Sequence, residues 1–457
     1  MSIHPIIATM RGIACVSLIF LHAFPASAET PASKPNILVI VADDLGYADT
    51  GFQGCKDIPT PALDALAARG IRCTSGYSGH PYCSPTRAGF MTGRYQQRFG
   101  HENNPRWEPE NDKVGLPLSE TTLPQVLKNA GYATGITGKW HLGAHPIFHP
   151  NQRGFDEFFG FLGGGHRYIL TKKTAAEYET GIQRNGKPVE EKSHVTDAIG
   201  REAADFIERH HESPWFLYVA FNAPHTPLQP APQDLAPVAG IADEKRRKYA
   251  GLVVGMDRAI GRVLDTLRES GKEKGTLVFF FSDNGGPERA NGSDNGPLRG
   301  EKGDLFEGGI RVPFLVSWPG RLTPGVFDRP ITSTDVFATA ALLAGAQAPV
   351  NLDSVDVLPF LAGSKDGSPH ERVFWRVGGS KGRIAVREGD WKWMRADGKA
   401  QLFDLKNDIG ETRDLSGQES ARAAALEKTA LAWSAEMIEP RWPGLGGGKK
   451  PAVKKAK

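Results

Sequence analysis

Two short segments restrict what this chain can fold into more than any other feature. Asn36-Ile-Leu-Val-Ile-Val-Ala42 and Gly275-Thr-Leu-Val-Phe-Phe-Phe-Ser282 are almost wholly apolar, and each runs directly into a pair of oxygen-bearing residues, Asp43-Asp44 and Asp283-Asn284. A short, unbroken apolar run reads as a strand buried on both faces, the habit of parallel strands covered by helices. Helical stretches at Thr121 to Ala130 and Ala198 to His210 precede further strand candidates at Ala133 to Thr137 and Trp215 to Phe221. That alternation predicts an α/β fold, a large and mostly parallel sheet sandwiched by helices. Ligands of such sheets bind beyond the carboxyl ends of the strands, where both acidic pairs fall.

Beyond Asn351 the pattern changes to short strands at Arg383 to Arg387, Trp391 to Arg395 and Gln401 to Leu405, followed by a helix from Ser420 to Met437. We expect a catalytic domain over residues 29–350, a smaller α+β subdomain with an antiparallel sheet over 351–443, and a flexible lysine-rich tail over 444–457. The first 28 residues read as a secretory leader: Arg11, an apolar run from Gly12 to Phe24, and Ala26-Ser27-Ala28 as a cleavage site. The run is short for a membrane span, so an exported protein, periplasmic or secreted, is expected. Without Arg11 and the lysines at 449, 450, 454, 455 and 457 the formal charge is −3, which argues against nucleic acid as a partner. Cys55, Cys73 and Cys83 would remain after cleavage, an odd number in an oxidising compartment. A Cys55–Cys73 disulfide would leave Cys83 unpaired, and three buried thiols are the alternative.

Asp43, Asp44, Asp283 and Asn284 offer oxygen donors only, which suits a hard divalent cation rather than zinc. Gly138-Lys139-Trp140-His141-Leu142-Gly143 follows a strand, and its spacing lets Lys139 and His141 point the same way from an extended segment. Asn222-Ala-Pro-His225-Thr-Pro227 also follows a strand, and its prolines stiffen a loop that could hold one imidazole still. His225 is the candidate general acid for a leaving alcohol, provided a nearby anion keeps it charged. Gly300-Glu301-Lys302-Gly303 leads on to Glu307 and Arg311, a structural pair or a catalytic one.

Cys83-Ser84-Pro85-Thr86-Arg87, continuing to Met91-Thr92-Gly93-Arg94, resembles the signature of the formylglycine-dependent sulfatases of the alkaline phosphatase superfamily. The segments at Gly138, Asn222, Gly300 and Leu402 to Thr412 are similar to others in that family, so the resemblance spans nearly the whole chain before the tail. It implies that Cys83 is oxidised by a maturation enzyme to formylglycine, whose hydrate is the nucleophile and a metal ligand. A sulfated hydrate can release sulfate by collapsing to the aldehyde, which a sulfated serine cannot. The resemblance further implies one calcium ion, magnesium being the alternative, held by Asp43, Asp44, Cys83, Asp283 and Asn284. It gives Lys139 and Lys302 sulfate contacts, His141 a hydrogen bond to the hydrate, and Arg87 a place in the positive cradle.

Export and the family's many glycan-active members point to a sulfated glycan or glycosaminoglycan fragment, with aryl sulfates as further substrates. Arg98, His101, His166 and Arg167 could supply sugar contacts, or belong to ordinary turns. The rivals are a phosphoester or phosphonate hydrolase on the same scaffold and a non-catalytic glycan-binding protein. A phosphate monoester would profit from a second metal, and the chain shows ligands for one.

Overall fold

The computed structural model describes residues 1, 2, 4, 34–169 and 173–444. The leader and cleavage site expected in the first 28 residues, with Cys15, and the tail from residue 445 lie outside the described residues. The chain from Lys34 onward forms one compact unit. Its ten-stranded sheet runs, edge to edge, Gly325–Phe327, Ile71–Cys73, Phe314–Ser317, Thr276–Ser282, Asn36–Ala42, Trp215–Ala220, Ala133–Lys139, Glu157–Phe161, Gln183–Arg184 and Lys187–Pro188. The central five strands, from Thr276–Ser282 to Glu157–Phe161, are mutually parallel, and antiparallel pairings flank them.

Every residue of Asn36–Ala42 is buried. Ile37, Val39 and Val41 face one core with Phe90, Val126 and Phe337, whereas Leu38 and Ile40 face the other with Ile199, Phe206, Met256 and Ile260. Sealing a large aliphatic side chain on either face contributes about 1.5–3 kcal/mol, so this strand is anchored from both sides. The helices doing the covering include Cys83–Thr92, Leu123–Asn129, Val195–Arg209, Glu244–Glu269 and Asp335–Leu343. Leu123–Asn129 starts where the Gln125 side chain accepts from the Thr122 backbone N–H at 2.9 Å, half of a capping box.

The C-terminal sheet is antiparallel with its strands in sequence order: Arg372–Val377, Arg383–Glu388, Trp391–Ala396 and Lys399–Asp404. One face packs Trp375, Met394 and Phe403 on Tyr77, Leu305 and Ile310 of the large sheet's side. The helix Ser420–Ala435 covers the other, with Trp433 stacked 5.0 Å from Phe374. Cys55, Cys73 and Cys83 are all free thiols. Among the described residues no helix is long and apolar enough to cross a membrane.

Candidate active site

Ala42 pairs with Ser282 in parallel register, so Asp43-Asp44 and Asp283-Asn284 leave the same edge of the sheet side by side. The helix Cys83–Thr92 brings Cys83 to them at its first turn, where Pro85 lacks only an N–H that would have no partner there. Donor atoms of Asp43, Asp44, Cys83 and His225 all lie within 4.8 Å of one another, and all four residues are buried. Strand Ala133–Lys139 delivers Lys139 to Asp43 at 2.6 Å. Lys302 arrives from the loop after Gly300, with Nζ 2.6 Å from Asp44 Oδ1 and 3.1 Å from Cys83 Sγ.

Three carboxylates therefore face three basic side chains, the third being Arg87, whose Nε and Nη2 both donate to Asp283 Oδ2. Burial works against the charged form of Asp44, but Lys302 and His225 outweigh it and hold its carboxyl below the usual range. Burial, reinforced by Asp43, shifts Asp283 upward. Burial also pushes the Cys83 thiol up to about 12 despite Lys139 and Lys302. An unmodified Cys83 is thus a protonated thiol at neutral pH and a weak nucleophile.

Asp43 Oδ1 and Asn284 Oδ1 are buried without any hydrogen-bond partner, while the Asn284 amide nitrogen donates to Asp44 Oδ1 at 2.7 Å. Orphaned oxygens are costly unless something electropositive satisfies them. A cation held by oxygen ligands fits this donor set, with Cys83 and His225 at its margin.

His225 donates from Nδ1 to its neighbour's carbonyl, Thr226 O, at 2.6 Å, which leaves Nε2 bare and 3.6 Å from Asp44 Oδ2. Burial lowers its pKa to about 4 even though Asp44 opposes the shift, so in this state the ring is neutral. Asp44 thus does not by itself keep His225 charged. His141 has a left-handed backbone at φ 59°, a buried Nδ1 with no partner, and an Nε2 that packs against Gly164. Burial and the charges of Lys139 and Arg87 keep it well below the ordinary histidine range.

Each of the four residues expected to contact sugar has partners within the protein. Arg98 makes a two-point ion pair with Asp353 and reaches Glu436, at a groove beside the C-terminal helix. His101 is buried behind the cysteine helix. Ser84 has one hydroxyl proton, given to His141 O at 2.6 Å, so His101 Nε2 must donate to Ser84 Oγ at 2.6 Å. Both ring nitrogens of His166 meet backbone carbonyls, Arg167 O and Thr180 O. Arg167 is exposed and pairs with Glu179 at 2.9 Å. Glu307 and Arg311 form an ion pair at 3.2 Å.

Sequence reasoning missed Glu177 and Tyr178. Glu177 Oε1 accepts from Gly164 N–H at 2.6 Å, and the half-buried Tyr178 ring lies 6.0 Å from that of His225. Neither has a sequence signal, because both sit in a polar stretch with no periodicity.

The fold and the cluster at its carboxyl edge define an alkaline phosphatase-like hydrolase. The Sulfatase family model matches residues 35–346. The chain is 36% identical over 402 residues to the N-acetylgalactosamine-6-sulfatase of Mus musculus, covering 82% of this chain and 74% of that one. It is 34% identical over 386 residues to the arylsulfatase of Hemicentrotus pulcherrimus, covering 79% and 67%. The crystal structure of Ps i-CgsB in complex with k-i-k-neocarrahexaose superposes with a TM-score of 0.86 at 38% identity, over 90% of this chain and 95% of that one. The chain belongs to the sulfatase family. It is an enzyme that hydrolyses sulfate esters.

Proposed function

We propose that this sulfatase acts on a sulfated glycan, using a formylglycine made from Cys83 beside one calcium ion held by Asp43, Asp44, Asp283 and Asn284. The observation that carries the reading is the meeting of Cys83, Lys302 and Asp44 at one point: Nζ lies 3.1 Å from the sulfur and 2.6 Å from the carboxylate. Cys83 Sγ stands in for the hydrate oxygens of the modified residue. The modification would supply a nucleophile that the buried thiol is not, and the cation would screen the carboxylates while an anionic ester enters.

The chain's own residues do the rest. Lys139 and Lys302 turn from Asp43 and Asp44 toward sulfate oxygens. Arg87, locked on Asp283, fixes the carboxylate next to the nucleophile. His141 offers its unpartnered Nδ1 from a buried position. His225 presents Nε2 to the leaving oxygen; the sulfate's negative charge favours its protonated form, restoring the general acid that burial suppresses. Tyr178 and Glu177 border the mouth where the alcohol departs.

The glycan assignment draws on the relatives, one a N-acetylgalactosamine-6-sulfatase and one bound to a neocarrahexaose. A maturation enzyme as partner and export by the leader over residues 1–28 belong to the same proposal. Release of inorganic sulfate from a panel of sulfated oligosaccharides and a small aryl sulfate tests the substrate class. Higher kcat/KM on an oligosaccharide supports it; aryl sulfate as the best substrate overturns it.

A further inference from the structure

Glu411 lies buried beneath the loop that carries Lys302. Its Oε2 accepts from the Glu307 backbone N–H at 2.6 Å, and its carbonyl accepts from Arg299 Nη1 at 2.8 Å. Arg299 precedes Lys302 and Glu307 follows it, so one residue of the C-terminal region ties both stems of the loop. The other carboxylate oxygen of Glu411 forms an ion pair with Lys392 Nζ at 2.8 Å, and that ammonium donates a hydrogen bond to Glu307 Oε1 at 2.9 Å. Glu307 in turn accepts from Tyr77 Oη at 2.6 Å and pairs with Arg311 at 3.2 Å, while Arg387 reaches the same tyrosine hydroxyl.

Lys392, Glu307 and Glu411 are fully screened from solvent. Buried charges of this kind are costly unless their geometry is well satisfied, and removing one member leaves the others uncompensated. Glu411 also holds a left-handed backbone at φ 51°, unusual for a side chain of its size, which presents carbonyl and carboxylate to the two stems at once. The fold alone would not require this arrangement, since apolar packing of Tyr77, Leu305 and Ile310 already joins the two sheets.

We propose that Glu411, supported by Lys392, is a positioning residue for catalysis: it clamps the Arg299 to Glu307 loop so that Lys302 is held at Cys83 and Asp44. The inference rests on the role given to Lys302 above. It makes the small C-terminal sheet part of the catalytic apparatus. Burial raises the Glu411 carboxyl, with Glu307 adding to the shift and Lys392 opposing it, to about 7. The ionised form pairs with Lys392 and accepts from Glu307, so the clamp tightens as pH rises through neutrality. Arg311 and Tyr77, both shifted upward, face Glu307 and keep their protons over that range, and Arg387 reaches the Tyr77 hydroxyl.

The test compares Lys302→Ala, Glu411→Gln and Arg299→Ala in the full chain, with the state of Cys83 measured by mass so that rates refer to equally modified protein. A small aryl sulfate is the probe, and kcat and KM are read across neutral pH beside the melting temperature. Lys302→Ala is expected to be nearly inactive. Glu411→Gln should lower kcat about tenfold or more, change KM far less, and flatten the rise near neutrality. Arg299→Ala removes an exposed side chain, so it should fold normally and still lower kcat severalfold. Wild-type kcat and pH profile in both Glu411→Gln and Arg299→Ala, with Lys302→Ala inactive, would overturn the clamp alone. Full activity in Lys302→Ala would remove the role of Lys302 and the clamp with it.

Discussion

Arg87 gives two hydrogen bonds to a single oxygen of Asp283, from Nη2 at 2.7 Å and from Nε at 3.0 Å, with both side chains sealed from solvent. The guanidinium gives further hydrogen bonds to Tyr218 Oη and Lys139 O, and Nη2 lies 3.9 Å from Asp43 Oδ1. It therefore acts as a brace between the cysteine helix and two strands as well as a charge.

Arg87→Ala would leave Asp283 buried beside Asp43 with its main partner gone. A loss of about 3–5 kcal/mol in unfolding free energy is expected, together with loss of activity. Arg87→Lys keeps the charge but not the two-point geometry and should fall between. Urea denaturation of the three proteins measures this.

Gly164→Ala should damage catalysis more than stability. A Cβ at this position would stand 2.6 Å from His141 Nε2 and 3.2 Å from Glu177 Oε1, so the imidazole must move. A displacement near 1 Å at a reacting group can cost about a hundredfold in rate. The expected signature is a fall of that order in kcat with a small change in melting temperature.

The orphaned Asp43 Oδ1 and Asn284 Oδ1 predict a cation requirement that is visible without any assay of activity. Chelator-treated protein should melt lower, and calcium should raise the melting temperature with its concentration, the added unfolding free energy reaching about 2.7 kcal/mol at a hundred times the dissociation constant. Asn284→Leu should shift that dependence to higher calcium. A melting temperature indifferent to both chelator and calcium would contradict the site.

His370 lies between both oxygens of Asp335, at 2.8 and 2.9 Å. Burial alone would lower its pKa, but the Asp335 charge and hydrogen bonds outweigh burial and raise it above the ordinary value of 6.5. The pair's contribution to stability is therefore complete below about pH 6.5 and is lost as pH rises through the raised value. The stability advantage of the wild type over His370→Gln should shrink on going from mildly acidic to alkaline buffer.

The parts of the site that depend on strand ends were legible in the sequence, because Asn36–Ala42 and Thr276–Ser282 announce themselves by unbroken apolar runs and deliver their acids in register. The long helix Glu244–Glu269 was not, since Gly251, Gly255 and Gly261 interrupt its apolar pattern. Two of those glycines serve close packing: Gly251 meets Pro230, and Gly255 meets Asp234. The strand Arg372–Val377 was missed for a related reason, its alternation being masked by buried Arg376, which pairs with Glu102. Arg98 and His101 carry the right chemistry for sugar contacts, but their partners, Asp353 and Ser84, are set by tertiary packing. The Glu307, Lys392 and Glu411 network joins residues too far apart in the chain for spacing to reveal it.

The most direct measurement is peptide mass spectrometry across Cys83 in catalytically active protein, with sulfate release followed in the same sample. An aldehyde or hydrate mass at Cys83, in proportion to activity, is the expected result. An intact thiol in fully active protein would contradict the nucleophile assigned here.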